Sequence, residues 1–228
     1  MNADPDCLST ALAPHGLRLR GGFCPGPEDS VPPLIDGRAV RTLYLVGHAG
    51  PAMWTAFRAA APTGDHPLDG WSRRLLDDIA HEFAGRALLP GDGPPWLPFQ
   101  RWAQAADGVY PSPIGMLIHP EFGLWHGYRG ALAFAELLPL PVPDPRPSPC
   151  ESCAERPCLS TCPVGAFGPE GYDVPVCTSH LAAPAGIDCL EAGCRARRAC
   201  PVGRDYLYPD GQAAHHMAAF FRALCKTD

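Results

Sequence analysis

Apolar residues recur at helical spacing in several parts of the chain, and this pattern predicts most of its helices. Within residues 67–84, five large apolar residues fall on one helix face: Leu68, Trp71, Leu75, Ile79 and Phe83. Gly85 follows them as a stop signal. Further helices are predicted at Asp6–Ala13, from Pro51 onward, at Phe99–Ala106 and at Gly211–Leu224. The apolar stripe of the long helix needs a sheet to cover.

Short apolar runs bounded by proline and glycine predict the strands. They are Val40–Val46, Ala87–Leu89, Ile114–Ile118 and Gly130–Phe134. Together with the helices they indicate an α+β layer domain. Proline at every second position of Pro139–Pro149 removes backbone donors and holds the chain near polyproline II, so we predict a semi-rigid linker there.

These features divide the chain into an α+β domain (1–138), the linker (139–149), a cysteine-rich module (150–208) and a C-terminal helix (209–228). A chain of 228 residues with 46% hydrophobic and 18% charged residues has the composition of a globular protein. A net charge of −6 without a run of Lys or Arg disfavours nucleic acid as a partner. Neither a membrane span nor a signal peptide is recognisable, so we expect a cytoplasmic protein with no membrane partner.

Most of the cysteines lie in two motifs that each end in Cys-Pro. The first motif is Cys150-x2-Cys153-x4-Cys158-x3-Cys162-Pro163, and the second is Cys177 followed by Cys189-x4-Cys194-x5-Cys200-Pro201. In a reducing compartment, thiols clustered in this way are metal ligands rather than disulfides. Three cysteines stand apart and are expected to be ordinary core or surface thiols: Cys7, Cys24 and Cys225.

The Cys-Pro ends point to iron–sulfur clusters. In two-cluster ferredoxins the cysteine before the proline binds the cluster of the other run. Applied to this chain, that rule predicts one [4Fe–4S] cluster on Cys150, Cys153, Cys158 and Cys200, and a second on Cys162, Cys177, Cys189 and Cys194. Zinc in two four-cysteine sites is the alternative, which paired Cys-Pro ends do not favour. A disulfide framework is less favoured still.

The segment 115–132 carries a resemblance to a known family. Its sequence, Gly-Met-Leu-Ile-His-Pro-Glu-Phe-Gly-Leu-Trp-His-Gly-Tyr-Arg-Gly-Ala-Leu, resembles without gaps the Ile-His-Pro-x-Phe-Gly-x-Trp-x-x-x-Arg-Gly block of CblC-type cobalamin-processing proteins. Leu45–Met53 and Ala13–Leu17 are similar to other parts of that family. The resemblance covers Leu8 to Pro141 with gaps, and it implies a modified nitroreductase-like α+β fold that binds cobalamin with its nucleotide base off the cobalt.

The same resemblance implies site residues. Gly115 falls at a glycine beside the corrin site, and Arg129 falls at an arginine implicated in the thiol and corrin pocket, which makes it the candidate catalytic residue. His119, Phe122 and Trp125 match the same block and are candidate cobalamin contacts. From the residues alone, His119 is more often a hydrogen-bonded structural histidine than a metal ligand, and Phe122 and Trp125 are core. Arg129 is either a salt-bridged structural group or an anchor for corrin amides, phosphate or a thiol substrate.

The cysteine module resembles the two-cluster module of epoxyqueuosine reductase and reductive dehalogenases. For example, the sequence Cys177-Thr-Ser-His-Leu is similar to the Cys-x-Ser-Tyr-Leu that is usual in those enzymes. Those enzymes carry cobalamin on a related nitroreductase-like scaffold, so both resemblances imply the same cofactor. The chain also departs from each family, because CblC-type proteins have no iron–sulfur module and this chain lacks the length and the RNA-binding repeat tail of the epoxyqueuosine enzymes.

Three hypotheses of function follow. The leading one is an iron–sulfur oxidoreductase. Its clusters receive electrons from an electron-donor protein or reductase, reduce the cobalt of cobalamin and remove its upper ligand by reductive decyanation or dealkylation. In the second, cobalamin is a permanent cofactor that reduces an organic epoxide or halide. In the third, the protein is a two-cluster electron-carrier ferredoxin without a corrinoid.

Overall fold

The computed structural model of the protein describes residues 3–224. The chain is mixed α/β, 41% helical and 16% strand, which confirms the predicted α+β class. The nitroreductase-like and ferredoxin-like details stay predictions. Two compact units are present, which we call the sheet unit, Met1–Gly108 with His126–Pro145, and the cysteine unit, Val109–Trp125 with Arg146–Asp228.

The helices and strands have the following bounds. The helices are α1 Pro5–Leu12, α2 Ala52–Ala60, α3 Pro67–Glu82, α4 Phe99–Ala106, α5 Pro157–Ser160, α6 Val174–Ala182, α7 Ile187–Ala192, α8 Arg195–Arg198 and α9 Asp210–Leu224. The strands are β1 Arg18–Phe23, β2 Thr42–Ala49, β3 Arg86–Leu88, β4 Tyr110–Pro111, β5 Leu117–Ile118, β6 His126–Phe134, β7 Phe167–Gly168 and β8 Gly171–Tyr172. The helices predicted from apolar spacing are therefore confirmed, each to within a few residues.

The sheet unit is built on an antiparallel sheet in the order β1-β2-β6-β3. All eight residues of the central strand β2 are buried, because both faces of the sheet are covered. Tyr44 and Val46 pack with residues of α1, α2 and α3 on one face. Leu43 and Leu45 pack with residues of α4 on the other face. The alternation of β2 side chains thus joins two separate apolar cores.

A buried ion pair also lies in the sheet unit. Arg20 of β1 is 2% exposed and lies 2.7 Å from the carboxylate of Asp107, which follows α4. The Tyr128 hydroxyl of β6 donates to the same carboxylate at 2.9 Å, and burial raises the pKa of that phenol. The guanidinium also lies 5.1 Å from the centre of the Tyr128 ring. These contacts satisfy a charge that would otherwise be costly to bury.

The cysteine unit contains short helices and two-residue strand pairs, β4 with β5 and β7 with β8. The predicted strand Ile114–Ile118 is wrong in its first three residues. The chain turns there, because the Gly115 N–H donates to the Ser112 carbonyl at 3.0 Å and Gly115 has a φ of +76°. Only Leu117 and Ile118 of the predicted strand pair as a strand.

Residues 109–125 belong to the cysteine unit, whereas the division drawn from the sequence placed them in the domain 1–138. Backbone packing explains the difference. A Cβ on Gly123 would lie 2.1 Å from the Val202 carbonyl oxygen, and a Cβ on Gly203 would lie 2.3 Å from the Phe122 backbone. The loop that contains Gly123 therefore lies directly against the backbone that follows Cys200.

In the proline-rich segment, residues 139–148 form neither helix nor strand. Tyrosine hydroxyls hold two of its carbonyls: Tyr44 donates to Pro139 at 2.6 Å in the sheet unit, and Tyr110 donates to Arg146 at 2.8 Å in the cysteine unit. Among residues 3–224, no helix combines the length and apolar character required to cross a bilayer.

Candidate metal centre

Four cysteines line one cavity of the cysteine unit. They are Cys150, Cys153, Cys158 and Cys200, which we call set I. The walls of the cavity are otherwise mainly apolar: Pro113, Ile118, Pro149, Pro157, Pro201 and Val202, with Arg156 at one side. This is the group of thiols that the crossing rule assigned to one cluster.

The other four motif cysteines form a second group, Cys162, Cys177, Cys189 and Cys194, which we call set II. The pKa of the Cys177 thiol is raised by burial and then by the neighbouring thiolates of Cys162 and Cys189. Burial likewise raises the pKa of Cys194, and here the neighbouring thiolates are Cys189 and Cys177. Each of these electrostatic neighbours belongs to set II.

Set I shows the same behaviour. Burial raises the pKa of Cys150, and the thiolates of Cys200, Cys158 and Cys153 raise it further. The pKa of Cys200 is also raised, first by burial and then by Cys158 and Cys153. Four thiolates so close together in apolar surroundings repel one another, and a bound cation removes both penalties. The arrangement is therefore one in which metal binding displaces protons from the thiols.

Local structure explains where each thiol lies. Cys158 is in the first turn of α5 behind Pro157, which is suited to that position. Cys177 is in α6, whose start is capped by the Asp173 carboxylate accepting the Val176 N–H at 3.0 Å. Cys194 immediately precedes α8 and Cys200 follows it. The short helix α8 thus places one thiol of each set at its two ends.

Polar groups also surround the sulfur atoms. The Ala166 N–H donates to Cys162 Sγ at 3.3 Å. Burial raises the pKa of the Cys177 thiol, and the Tyr172 hydroxyl lowers it. The Arg156 guanidinium favours the thiolate of Cys158, and that of Arg204 favours the thiolate of Cys200. Tyr172, Arg156 and Arg204 were not singled out from the sequence, because no spacing rule distinguishes them from other surface residues.

The geometry also bears on which metal fits. Within residues 3–224, no three side chains of His, Cys, Asp or Glu are arranged to hold a single metal ion. A structural zinc needs four thiolates at about 2.3 Å from one point. A four-iron cubane is larger and is ligated at its corners, so its thiolates stand farther apart around a central space. The four thiols of set I line one cavity, and this much is common to both kinds of centre.

The remaining cysteines lie elsewhere. Cys7 and Cys24 are exposed, and Cys7 Sγ donates to Asp4 at 3.5 Å. The pKa of the Cys7 thiol is raised, mainly by its hydrogen bond to Asp4. Cys225 lies outside the described residues. Cys7 and Cys24 are therefore surface thiols.

Three of the predicted cobalamin contacts are packed against protein groups of the cysteine unit. His119 is 4% exposed, and its Nδ1 accepts the N–H groups of Glu121 and Phe122 at 3.0 and 3.3 Å. Phe122 stacks on the His119 ring at 4.2 Å between centroids. Trp125 packs edge-on against Tyr208 at 5.5 Å. These contacts match the structural interpretation of all three residues.

An arginine holds this aromatic loop in place. Arg197 Nε and Nη2 both donate to the Leu124 carbonyl, at 3.1 and 2.6 Å. The guanidinium carbon lies 4.8 Å from the Trp125 ring centre and 4.5 Å from that of Tyr208. Because Arg197 is in α8, these contacts connect the loop 119–125 to the helix between Cys194 and Cys200.

The last two predicted contacts are more open. Gly115 has no atom within 4 Å of the position that a Cβ would take. Arg129, in the sheet unit, donates to Ser72 Oγ at 3.0 Å and to Asp69 at 2.6 Å. It lines a cavity of about 610 Å³, a size in the range of small-molecule pockets, together with Arg73, Tyr128 and the loop 89–92.

Comparison with known proteins gives a remote structural similarity. The fold is similar in part to that of epoxyqueuosine reductase from Streptococcus thermophilus. The TM-score is 0.43 and the sequence identity is 16%, over 75% of this chain and 51% of the reductase chain. The chain therefore spans about half the length of that reductase. No family model and no curated protein matches the sequence.

Proposed function

We propose that the protein is an iron–sulfur oxidoreductase that holds one [4Fe–4S] cluster on set I and another on set II. The observation that carries this proposal is the gathering of eight cysteines into two separate groups of four. Set I encloses an apolar cavity, and the members of set II are one another's electrostatic neighbours. Clusters bound in this way supply one-electron transfer at potentials that reach about −700 mV.

The residues of the chain have distinct tasks in this proposal. The apolar walls around set I cover part of each thiol, with Cys200 buried and the other three half-buried, which limits the access of water to bound iron. The N–H of Ala166 and the hydroxyl of Tyr172 stabilise negative charge on two sulfurs of set II. The guanidinium groups of Arg156 and Arg204 do the same for set I.

Metal analysis tests the proposal directly. After anaerobic reconstitution we expect about eight irons and eight labile sulfides for each chain, since two four-cysteine sets bind two clusters. A content near four irons contradicts two clusters. Zinc in stoichiometric amount, with no labile sulfide, contradicts the proposal as a whole.

We propose further that the substrate receiving these electrons is cobalamin, which loses its upper ligand. The resemblance of segment 115–132 to CblC-type proteins supports this, as does the cavity beside Arg129. His119, Phe122 and Trp125 are engaged within the protein, so we assign them to support of the loop rather than to contact with the corrin. Of the residues that the resemblance implies, Gly115 in the cysteine unit and Arg129 in the sheet unit are each open to a ligand.

An anaerobic titration with hydroxocobalamin, followed by its visible spectrum, tests this second proposal. We expect saturable binding with the spectrum of base-off cobalamin. A base-on spectrum at saturation contradicts the family resemblance on which the proposal rests. If no corrinoid binds while both clusters are present, the function is that of a two-cluster electron carrier.

A further inference from the structure

A cleft of about 360 Å³ opens on the surface of the cysteine unit beside α5 and α8, two short helices that pack against each other. Its walls are Thr161, Asp188, Arg195, Arg198 and Ala199. Thr161 directly follows α5, while Arg195 begins α8 and Arg198 ends it. We call this feature the arginine cleft.

The arginine cleft lies next to both sets of cysteines. Thr161 is followed by Cys162 of set II, and Ala199 is followed by Cys200 of set I. Consecutive Cα atoms are about 3.8 Å apart, so two walls of the cleft are each one residue from a proposed cluster ligand. A molecule held in the cleft is therefore close to ligands of both clusters.

The cleft carries positive charge. Arg195 Nε donates to Asp188 Oδ2 at 2.6 Å, and Arg198 Nη2 donates to the same oxygen. Among the described residues that line the cleft, Asp188 is the only acid, so one carboxylate faces two guanidinium groups. A third guanidinium lies alongside, because Arg204 Nη1 donates to the Arg198 carbonyl at 3.0 Å. The side chains of Arg195 and Arg198 are 46% and 35% exposed, which leaves them within reach of a ligand.

The charge of the cleft is opposite to that of the whole chain, which is −6. An acidic protein is repelled by the net charge and attracted by the cleft, so it approaches with its acidic side toward the arginines. Guanidinium groups bind carboxylates through parallel hydrogen bonds, which suits the cleft to Asp and Glu side chains. A pyridine nucleotide is also anionic, but it transfers a hydride with two electrons, whereas each cluster accepts one electron.

We propose that the arginine cleft is the docking site of an acidic electron-donor protein, a ferredoxin whose surface carboxylates contact Arg195 and Arg198. The inference rests on the proposed function. In the docked complex, one electron passes from the reduced iron–sulfur cluster of the ferredoxin to one cluster of this chain. The ferredoxin is oxidised, the receiving cluster is reduced and loses one unit of positive charge, and no proton or covalent bond moves.

The test measures how tightly an oxidised plant-type ferredoxin of net negative charge binds the reconstituted, full-length chain, by isothermal titration calorimetry. Arg195→Gln removes one charge from the cleft and keeps a polar side chain. At an ionic strength of about 0.01 M, where charges act over about 30 Å, we expect its Kd to be about fivefold above that of the parent. At about 0.15 M, where the range is about 8 Å, the difference should shrink to about twofold.

Asp188→Asn should have the opposite effect, because it removes the acid of the cleft and keeps the shape of the side chain. We expect its Kd to be about fivefold below that of the parent at the lower ionic strength. Arg74→Gln is the matched control, since Arg74 is an exposed arginine of α3 in the sheet unit. It changes the net charge by the same amount as Arg195→Gln and should keep the parent Kd. Equal weakening in Arg74→Gln and Arg195→Gln overturns the inference, and so does weaker binding by Asp188→Asn.

Reduction by a photoreduced deazaflavin, a small donor that needs no docking site, shows whether the clusters of each variant are intact. We expect every variant to hold about eight irons and to be reduced at the parent rate. A parent that is reduced in this way but does not bind ferredoxin overturns the inference. If that parent instead binds inorganic phosphate and Arg195→Gln does not, the cleft is a site for small anions. A parent that binds no iron contradicts the proposed function itself.

Discussion

Replacing Arg197 with Met removes the group that joins the loop 119–125 to α8. The parent side chain makes two charge-assisted hydrogen bonds to the Leu124 carbonyl, and such bonds contribute about 1.5–3 kcal/mol. Contacts with the rings of Trp125 and Tyr208 add about 0.5–1 kcal/mol each. Methionine retains part of the apolar packing and its side-chain entropy is similar. We therefore expect the free energy of local opening to fall by about 2–4 kcal/mol.

Hydrogen exchange measured by mass spectrometry checks this value. Since 1.4 kcal/mol corresponds to a factor of ten, amides of residues 117–125 in Arg197→Met should exchange about 30 to 1,000 times faster than in the parent. Arg195→Met is the matched control. Arg195 is also in α8, but it is half exposed and pairs with Asp188 at the surface, where ion pairs contribute little to stability. Its effect should stay within about fivefold.

Two results would refute the reasoning. If exchange in residues 117–125 is unchanged in Arg197→Met, the arginine does not hold the loop. If Arg195→Met accelerates exchange to the same degree, the effect comes from lost positive charge in α8 rather than from the contacts of Arg197.

Three other variants give separate tests. Cys153→Ser should retain about four of eight irons, since set II is intact, whereas Cys7→Ser should retain all of them; equal iron in both serine variants would contradict the assignment of set I. Asp107→Asn leaves the Arg20 charge buried, so urea denaturation followed by circular dichroism should show a loss of about 3–5 kcal/mol in the free energy of unfolding. Asp36→Asn, at the exposed pair with Arg38, should leave the unfolding midpoint almost unchanged. Arg129→Gln should weaken hydroxocobalamin binding and keep its iron, because the variant leaves polar groups of the ligand unpaired; loss of iron instead would make Arg129 a structural residue.

The helices of the sheet unit could be predicted from the sequence because their burial is periodic. In α3, Leu68, Trp71 and Ile79 are buried as the apolar spacing requires. Strand β1 was missed because Arg18–Phe23 contains two arginines and two glycines and its pairing with β2 is interrupted between Leu19 and Gly22. An irregular register of this kind leaves no alternation to recognise.

Long-range contacts explain what else the sequence did not show. The Cys-Pro spacing predicted a division of the cysteines into two sets, because in two-cluster ferredoxins the cysteine before the proline binds the cluster of the other run. The membership of residues 109–125 in the cysteine unit could not be predicted. It depends on the contact of Arg197 with the Leu124 carbonyl and on that of Gly123 with Val202, and the partners in each contact are distant in sequence. Tyr172 was equally invisible, because its relation to Cys177 depends on a two-residue hairpin.

The interleaving of the two sets along the chain has a consequence for their completion during translation. Synthesis proceeds from the N-terminus, so the last thiol of set II, Cys194, leaves the ribosome before Cys200, the last thiol of set I. Once Cys194 has left the ribosome, all four thiols of set II are available, whereas set I still has only three. A nascent chain stopped between these two cysteines has one finished ligand set and one unfinished, so the order of translation by itself gives set II the first opportunity to be filled.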